Sequence, residues 1–250
     1  MSNFDAYWDA WAPVWAELEN FFFETDSINL ILEKLEPPVL IVGAGLGLVV
    51  EHLKNSGIEC DGLDLSKQML AKAKELRGLD LIHGDAAEMP IKDNTYNSCI
   101  SASGVIDFIG DEDVIKKIIA EMRRVTTASG NVFVAFGHFS PAMEKACREM
   151  GAIKGNHLQI RESLKYSALL ASKDIEEIEN QPAIGTEKEQ QFGMGYYKIF
   201  KQAKDPDSLI NVAPEFQYYR TEAEVRRLFK NMDIELKALS VTDTSYIAFI

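Results

Sequence analysis

Three glycines and an aspartate are the residues of this chain whose spacing points most clearly to ligand chemistry. The apolar run Val39–Val42 leads directly into a loop that contains Gly43, Gly45 and Gly47. Glycines at the end of a buried strand permit a sharp turn and let a ligand approach the bare backbone. Asp64 follows about twenty positions later, where an acidic side chain can accept hydrogen bonds from ribose hydroxyls. The pattern predicts a site for a nucleotide-like cofactor at the start of a helix.

The glycine spacing bears on which cofactor this would be. A dinucleotide fingerprint G-x-G-x-x-G that starts at Gly43 requires its third glycine at position 48, where this chain has Leu48. The glycines follow G-x-G-x-G instead. This spacing argues against a nicotinamide cofactor, although a glycine turn after a strand is a weak signal when taken alone.

The surrounding elements alternate between strand and helix patterns, which indicates a mostly parallel sheet. Strands are predicted at 39–42, up to Asp64, at 79–83, at 96–101 and at 131–136. Helices are predicted after Gly47, at 67–76 with Ser66 as the N-cap, and at 113–125. The predicted architecture is therefore an α/β doubly wound sheet.

In its motifs this region resembles the class I S-adenosylmethionine-dependent methyltransferases, especially the branch that acts on small molecules. The resemblance is carried by four segments in the family's order, namely Val42–Gly47, Gly62–Leu70, Gly84–Pro90 and Tyr96–Ser101, with residues 221–250 matching the last helix and closing strands. It implies a Rossmann-like fold of the class I methyltransferase type and S-adenosyl-L-methionine as the cofactor.

The resemblance also implies contacts with each part of that cofactor. The methionine part would lie against Gly43, Gly45, Gly47 and the backbone carbonyl of Ser101. The ribose hydroxyls would be bound by Asp64, and the adenine by Leu65, Met69, Asp85 and the amide of Ala86. Alternative interpretations remain open, because Asp64 and Asp85 could stabilise turns and Met69 could belong to the core.

One position departs from the family pattern. Two residues before the first glycine, the family usually has Asp or Glu, which helps to hold the glycine loop and the cationic end of the cofactor. This chain has Ile41 at that position. The departure leaves the affinity for cofactor in question, and it keeps open a protein that binds S-adenosylmethionine without simple methyl transfer.

Composition limits the partners and the compartment. The chain has 250 residues and a net charge of -13, from 39 acidic and 26 basic side chains. This charge argues against partners that present phosphates, whether a nucleic acid or an anionic membrane surface. The three cysteines are sparse and widely spaced, which suggests a reducing compartment. The N-terminus has no signal-peptide pattern, so a cytoplasmic protein is expected.

Two segments lie outside the predicted core and would cover the substrate. Apolar residues recur at helical spacing near the N-terminus, at Phe4, Trp8, Trp11, Trp15, Leu18 and Phe22. Pro13 is predicted to break this helix into two pieces. The sequence thus predicts a helical lid at 1–36, a cofactor-binding core at 37–137 and 221–250, and an insertion at 138–220.

The insertion after strand five is too long for a plain connection and must form structure of its own. Helices are predicted at 141–150 and 160–172, and a strand or bent ribbon at 192–200. Its later part is rich in aromatic residues, which include Phe192, Tyr196, Tyr197, Phe200, Phe216, Tyr218 and Tyr219. Such an α+β insertion would suit an organic substrate, and the alternative is a packing surface or a homodimer interface.

Catalysis requires a base only if the acceptor atom must lose a proton. Asp107 and His138 are the candidates, because they lie near the ends of strands four and five. A structural role is the alternative for His138, and the four histidines show no metal-ligand spacing. The sequence predicts a methyltransferase for a small, partly apolar or aromatic molecule, with an NAD-dependent oxidoreductase and a nucleic-acid methyltransferase as weaker alternatives.

Overall fold

The computed structural model describes residues 4–18, 28–101, 104–138, 141–149, 151–155, 157–172, 200–201, 206–242 and 245–250. The chain divides into two compact units. One unit is built from residues 23–138 and 220–250, and the other from residues 1–22 and 139–219.

The larger unit is built around a seven-stranded sheet in the order β3-β2-β1-β4-β5-β10-β9. Its strands are β1 (Val39–Val42), β2 (Cys60–Asp64), β3 (Ile82–His83), β4 (Tyr96–Ser101), β5 (Thr126–Gly137), β9 (Ala238–Val241) and β10 (Ser245–Phe249). The first five are parallel, whereas β10 runs antiparallel to both β5 and β9. The strand order reverses between β1 and β4, and ligands of such sheets bind at the carboxyl ends of the strands at this point.

A hydrophobic core covers each face of this sheet, which explains the continuous apolar run of β1. Leu40 and Val42 belong to one core, and Val39 and Ile41 belong to the other. Side chains alternate between the two faces of a strand, so a strand that is buried on both sides has no polar position. The fold class predicted from the sequence is confirmed.

Helices connect the strands of the larger unit at nearly the predicted positions. They are Leu48–Asn55, Lys67–Arg77, Glu112–Val125 and Glu222–Asn231. The hydroxyl of Ser66 accepts a hydrogen bond from the Met69 amide at 3.0 Å, which confirms the predicted N-cap. Thr221 and Glu224 form a capping box at the last of these helices.

Two strands differ from their predicted lengths. β3 contains only Ile82–His83, because it pairs with just two residues of β2. β5 begins at Thr126 instead of residue 131. A register shift near Tyr96 allows Thr126 to pair with β4, so long-range pairing extends the strand through a segment that has a turn-like composition.

The part of the smaller unit that the structure describes includes several helices and a three-stranded antiparallel sheet. The helices are Phe4–Leu18, Pro141–Glu149, Ile160–Ala171 and Pro206–Val212. The sheet is formed by β6 (Ile153–Lys154), β7 (His157–Gln159) and β8 (Phe216–Gln217), with β7 in the centre. The predicted ribbon at 192–199 and Phe22 lie outside the described residues, and Phe200 is helical.

The prediction that Pro13 breaks the N-terminal helix is wrong. A single helix runs from Phe4 to Leu18 with Pro13 inside it. Proline removes one backbone hydrogen bond, but aromatic packing joins the two sides of this position. The rings of Trp8 and Trp15 meet edge to face at 5.8 Å across the proline. Trp11 is fully buried and its ring lies 5.9 Å from that of Tyr7.

Candidate active site at the carboxyl ends of the strands

The glycine loop after β1 is held by the aspartate at the end of β2. Oδ2 of Asp64 accepts a 2.7 Å hydrogen bond from the Gly45 amide, and Oδ1 accepts a 2.8 Å bond from the Ser66 amide. Asp64 therefore has the turn-stabilising role that the sequence left open. A carboxylate has about four lone-pair sites, so a carboxylate that accepts two amide hydrogen bonds can also accept bonds from ribose hydroxyls.

The loop glycines differ in what surrounds them. A side chain at Gly43 would clash with Val105, and one at Gly47 would come within 2.6 Å of Leu79. At Gly45 a Cβ atom would meet no other atom within 4 Å. Packing within the protein thus excludes a side chain at Gly43 and crowds one at Gly47, whereas the backbone of Gly45 has an open side that a ligand can approach.

Arg77 holds the same loop from another direction, and no motif in the sequence marks it as a site residue. Its guanidinium donates to the Leu46 carbonyl at 3.2 Å and to Glu51 at 3.0 Å. The Arg77 side chain is only 7% exposed, so these bonds form in a largely water-excluded setting. Arg77 is the last residue of its helix, and only its position before the C-capping Gly78 could have drawn attention to it.

Ile41 lies in the apolar core on one face of the sheet and is fully buried. An unpaired carboxylate at this position would carry a large desolvation cost. Ile41 is therefore a core residue of the sheet. In this chain the glycine loop is held by Asp64, which accepts from the Gly45 amide, and by Arg77, which donates to the Leu46 carbonyl.

The loop after β3 carries Asp85, which was predicted to bind adenine. Asp85 is exposed, and its Oδ1 accepts a 2.8 Å hydrogen bond from the Ala87 amide. Glu121 and Arg124 support the far end of this loop. Glu121 accepts from the Met89 amide at 2.7 Å, and Arg124 donates to the carbonyls of Met89 and Ile91.

The remaining predicted cofactor residues lie at the ends of the same strands or just beyond them. Ser101 ends β4 and is fully buried, in keeping with a contact through its backbone. Leu65 and Ala86 are half-buried, and Met69 is almost completely buried. Met69 therefore belongs to the packed interior. The contacts of Met69 and of the other three residues with the cofactor stay predictions.

Asp107 lies in a single turn of 3-10 helix, Ile106–Phe108, and is 2% exposed. Its Oδ1 accepts from the Gly137 amide at 2.9 Å and its Oδ2 from the Gly104 amide at 3.2 Å. Burial raises the pKa of this carboxyl, while the two amides and the charge of Arg220 oppose that rise. Its predicted catalytic role stays a prediction, and its observed contacts are structural.

His138 directly follows β5 and is half-buried. Its Nε2 lies 2.9 Å from the Thr242 carbonyl, and its ring lies 4.7 Å from that of Tyr246. A carbonyl oxygen can only accept, so Nε2 carries the proton in this contact. Nδ1 is then the nitrogen that could take a proton from an acceptor, and this catalytic role also stays a prediction.

All three cysteines of the chain lie among the residues that the structure describes. Cys60, Cys99 and Cys147 are buried thiols without disulfides. Burial raises the pKa of Cys60 and of Cys147 to about 11, which keeps both thiols protonated at neutral pH. Over the described residues no group of acidic, histidine or cysteine side chains could hold a metal ion, and no helix is long and apolar enough to cross a membrane.

Comparison with known proteins agrees with this geometry. Residues 40–134 match the family model described as a methyltransferase domain. The chain is 36% identical over 102 residues to a demethylmenaquinone methyltransferase of Renibacterium salmoninarum, a match that covers 40% of this chain and 41% of the relative. It is 40% identical over 70 residues to an 18S rRNA (guanine-N(7))-methyltransferase of Bos taurus, which covers 27% and 25% respectively.

Solved structures extend the likeness of the fold. An S-adenosylmethionine-dependent methyltransferase from Methanosarcina mazei superimposes with a TM-score of 0.54 at 14% identity, over 88% of this chain and 95% of that one. The sheet, the glycine loop and the family match together show a methyltransferase domain at residues 40–134, with the Rossmann-like fold of the class I S-adenosylmethionine-dependent methyltransferases. In two of the curated relatives, both demethylmenaquinone methyltransferases, the match to this chain covers only about two fifths of the relative's length.

Proposed function

We propose that this protein is an S-adenosylmethionine-dependent methyltransferase whose acceptor is a small, partly apolar or aromatic organic molecule. The observation that carries the proposal is the loop after β1, where Gly45 has an open side and its amide is fixed by Asp64. The loop follows β1, beside which the order of the parallel sheet reverses, and Asp64 ends the neighbouring strand β2. Ligands of such folds usually bind at this position.

The described residues fit this cofactor in three places. The backbone of Gly45 allows close approach, and the Asp64 carboxylate can accept from ribose hydroxyls. Asp85 is exposed on the neighbouring loop and offers an acceptor to an adenine amino group. When bound, the cofactor supplies an electrophilic methyl group, and the protein contributes alignment and exclusion of water.

A proton must be removed only from acceptors such as a hydroxyl. His138 is the better of the two candidates for this task. Its Nε2 is held by the Thr242 carbonyl, which orients Nδ1. Asp107 uses both of its oxygens for backbone amides and is almost fully buried, so a base at that position would first have to give up these contacts.

The substrate class rests on the relatives and on composition. Several of the relatives are demethylmenaquinone methyltransferases, whose named substrate is a small molecule. The aromatic residues of the smaller unit include Phe216 and Tyr218, whose rings lie 6.1 Å apart. Rings of this kind suit an apolar or aromatic acceptor.

A nucleic-acid substrate is the second candidate, because one relative is named as an rRNA methyltransferase. The net charge of -13 argues against it, since binding to nucleic acid depends on cations that neutralise phosphates. The nicotinamide alternative has less support, because Leu48 occupies the third position of the dinucleotide fingerprint.

Calorimetry with the purified protein tests the cofactor. S-adenosylmethionine and S-adenosylhomocysteine should bind, and NAD should not. Binding of NAD without S-adenosylmethionine would refute the proposal. Transfer of radioactive methyl groups to a panel of demethylated quinones, phenols and total RNA then tests the acceptor. Labelling of RNA alone would favour the second candidate, and cofactor binding with no labelled acceptor would favour a protein without simple methyl transfer.

A further inference from the structure

The turn Gly104–Phe108, at the carboxyl end of β4, contacts the glycine loop directly. Val105 packs so closely on Gly43 that a side chain at that glycine would clash with it. The position of this turn therefore defines one wall of the loop to which the cofactor binding has been assigned. The side chains that hold this turn in place should therefore affect the affinity for the cofactor.

Two charged side chains hold this turn. Asp107 bridges the Gly104 amide, within the turn, and the Gly137 amide, at the end of β5. Arg220 donates to the Ile109 carbonyl at 2.8 Å and to the Ile106 carbonyl at 3.4 Å. The Ile106 carbonyl also accepts a 3.1 Å hydrogen bond from the Ile109 amide, and the planar fork of arginine can reach two carbonyls at once.

Asp107 and Arg220 also make their contacts where the chain leaves the larger unit and where it rejoins that unit. That unit is interrupted after His138 and resumes at Arg220. The Arg220 amide donates to the Gly137 carbonyl at 3.2 Å, and its guanidinium lies over the ring of Phe136 at 5.9 Å. Arg220 thus anchors the turn to the end of β5 at the first residue of the returning chain.

We propose that Arg220 and Asp107 are positioning residues that set the affinity for the cofactor by holding the turn Gly104–Phe108 against Gly43. The inference rests on the proposed function of the glycine loop. Neither side chain needs to touch the cofactor, because the effect passes through Val105 to the loop. Asp107 is assigned here to positioning and not to proton transfer.

Variants of Arg220 test this assignment. Arg220→Met keeps the length of the side chain and removes both donors, and Arg220→Lys keeps the charge but not the fork. Calorimetry should show that Arg220→Met weakens binding of S-adenosylhomocysteine about tenfold, the size expected of a residue that acts through its neighbours. Arg220→Lys should recover part of the loss, and amide exchange at residues 104–109 should be faster in Arg220→Met.

Val125→Ala is the matched control. Val125 is fully buried and directly precedes Thr126, at the opposite end of β5 from Gly137. Its truncation should lower the thermal midpoint and leave the affinity unchanged. The proposal is wrong if Arg220→Met lowers the thermal midpoint but binds S-adenosylhomocysteine as tightly as the wild type does.

Binding by the wild type separates the inference from the proposed function, because the inference alone fails when the wild type binds the cofactor and Arg220→Met binds it equally well. If the wild type binds neither S-adenosylmethionine nor S-adenosylhomocysteine, the proposed function fails together with the affinity claim, whatever the exchange rates at residues 104–109 show. If Arg220→Met does not fold, Arg220→Lys decides the question by itself, since unchanged affinity in that folded variant would overturn the proposal.

Discussion

The backbone amide of Gly45 donates a 2.7 Å hydrogen bond to Oδ2 of Asp64. The bond connects the middle glycine of the loop after β1 to the last residue of β2, 19 positions along the chain. Because Asp64 is only 9% exposed, this charge-assisted bond forms with little competition from water. The residue proposed to bind ribose is therefore also the residue that fixes the shape of the loop.

Replacing Asp64 should impair cofactor binding more than folding. Asp64→Asn keeps one oxygen acceptor but loses the charge, and Asp64→Ala loses both. Loss of hydrogen bonds to a charged group costs about 1.5–3 kcal/mol, so Asp64→Ala should weaken binding of S-adenosylmethionine about tenfold to a hundredfold. It should also lower the thermal midpoint, because the Gly45 and Ser66 amides lose their acceptor. Calorimetry and thermal unfolding measure the two effects separately.

Asp111→Ala is the matched control for Asp64. Asp111 caps the helix Glu112–Val125, and its Oδ1 accepts from the Asp113 amide at 2.9 Å. Loss of a cap costs about 1 kcal/mol and should leave the affinity unchanged. If Asp64→Ala, like Asp111→Ala, lowered the thermal midpoint but bound S-adenosylmethionine as tightly as the wild type does, Asp64 would be only a turn residue.

Gly45→Ala should reduce binding without a comparable effect on stability. The added methyl group meets no protein atom within 4 Å, and the strain comes only from the positive φ of 52°. That strain is about 1–2 kcal/mol for a residue with a side chain. Since the methyl group would occupy the open side of the loop, the affinity for S-adenosylhomocysteine should fall by much more than the strain alone predicts. Calorimetry of the folded variant measures it.

Gly57→Ala provides the comparison for Gly45. Gly57 has φ 77°, is exposed, and would also accept a Cβ without contact within 4 Å. Its substitution should therefore carry a similar strain at a distance from the loop. Equal affinities in the two variants would mean that the open side of Gly45 does not face the cofactor.

Local patterns were enough to predict most of the larger unit. The apolar run at β1, the glycine loop and the N-cap Ser66 each depend on residues that are close in sequence, and the structure confirms them. The helix through Pro13 was not predictable in this way. Its continuity depends on the packing of Trp8 against Trp15, which a rule about a single proline does not include.

The side chains that hold the site were harder to find than the glycines. Arg220 lies 111 and 114 residues from the two carbonyls that it binds, and Arg77 lies 31 residues from the Leu46 carbonyl. No periodic pattern relates such residues, because their contacts form only when strands from distant segments pair. Local sequence patterns therefore predict the backbone that would face a cofactor, but not the arginines whose contacts form only in the folded chain.

Stability should depend on pH through Glu121. Hydrogen bonds from Arg124 and from the Met89 amide lower the pKa of Glu121 from its ordinary value of 4.5, and burial opposes them only in part. A lowered pKa means that the ionised form stabilises the fold. The contribution is complete above about pH 4.5 and is lost as the pH falls through the lower value in the folded state. Glu121→Gln should therefore be less stable by about 1.5–3 kcal/mol at pH 7.

Urea unfolding between pH 3 and pH 8 measures this dependence. The difference between wild type and Glu121→Gln should shrink at the acidic end, since glutamine does not titrate. Glu75→Gln is the control, because Glu75 forms an exposed ion pair with Lys72 at 2.8 Å. Exposed pairs contribute about 0–1 kcal/mol. A constant difference for Glu121→Gln across this range would contradict the assignment.

The N-terminal helix and the insertion are expected to close over the bound cofactor, since a reactive methyl donor must be kept from water. All three tryptophans of the chain lie in the helix Phe4–Leu18. Trp11 is fully buried, whereas Trp8 and Trp15 are only half-buried. Closure should therefore change the emission of Trp8 and Trp15 more than that of Trp11 when saturating S-adenosylhomocysteine is added.

Variants with a single tryptophan separate these signals. A variant that carries Trp8→Phe and Trp11→Phe reports on Trp15, and one that carries Trp8→Phe and Trp15→Phe reports on Trp11. The first should shift its emission on addition of cofactor, and the second should serve as the control with little shift. Amide exchange should slow in the helix Phe4–Leu18 and in residues 157–172 under the same conditions. Unchanged emission and exchange in both segments, with binding verified by calorimetry, would show that neither segment is a lid.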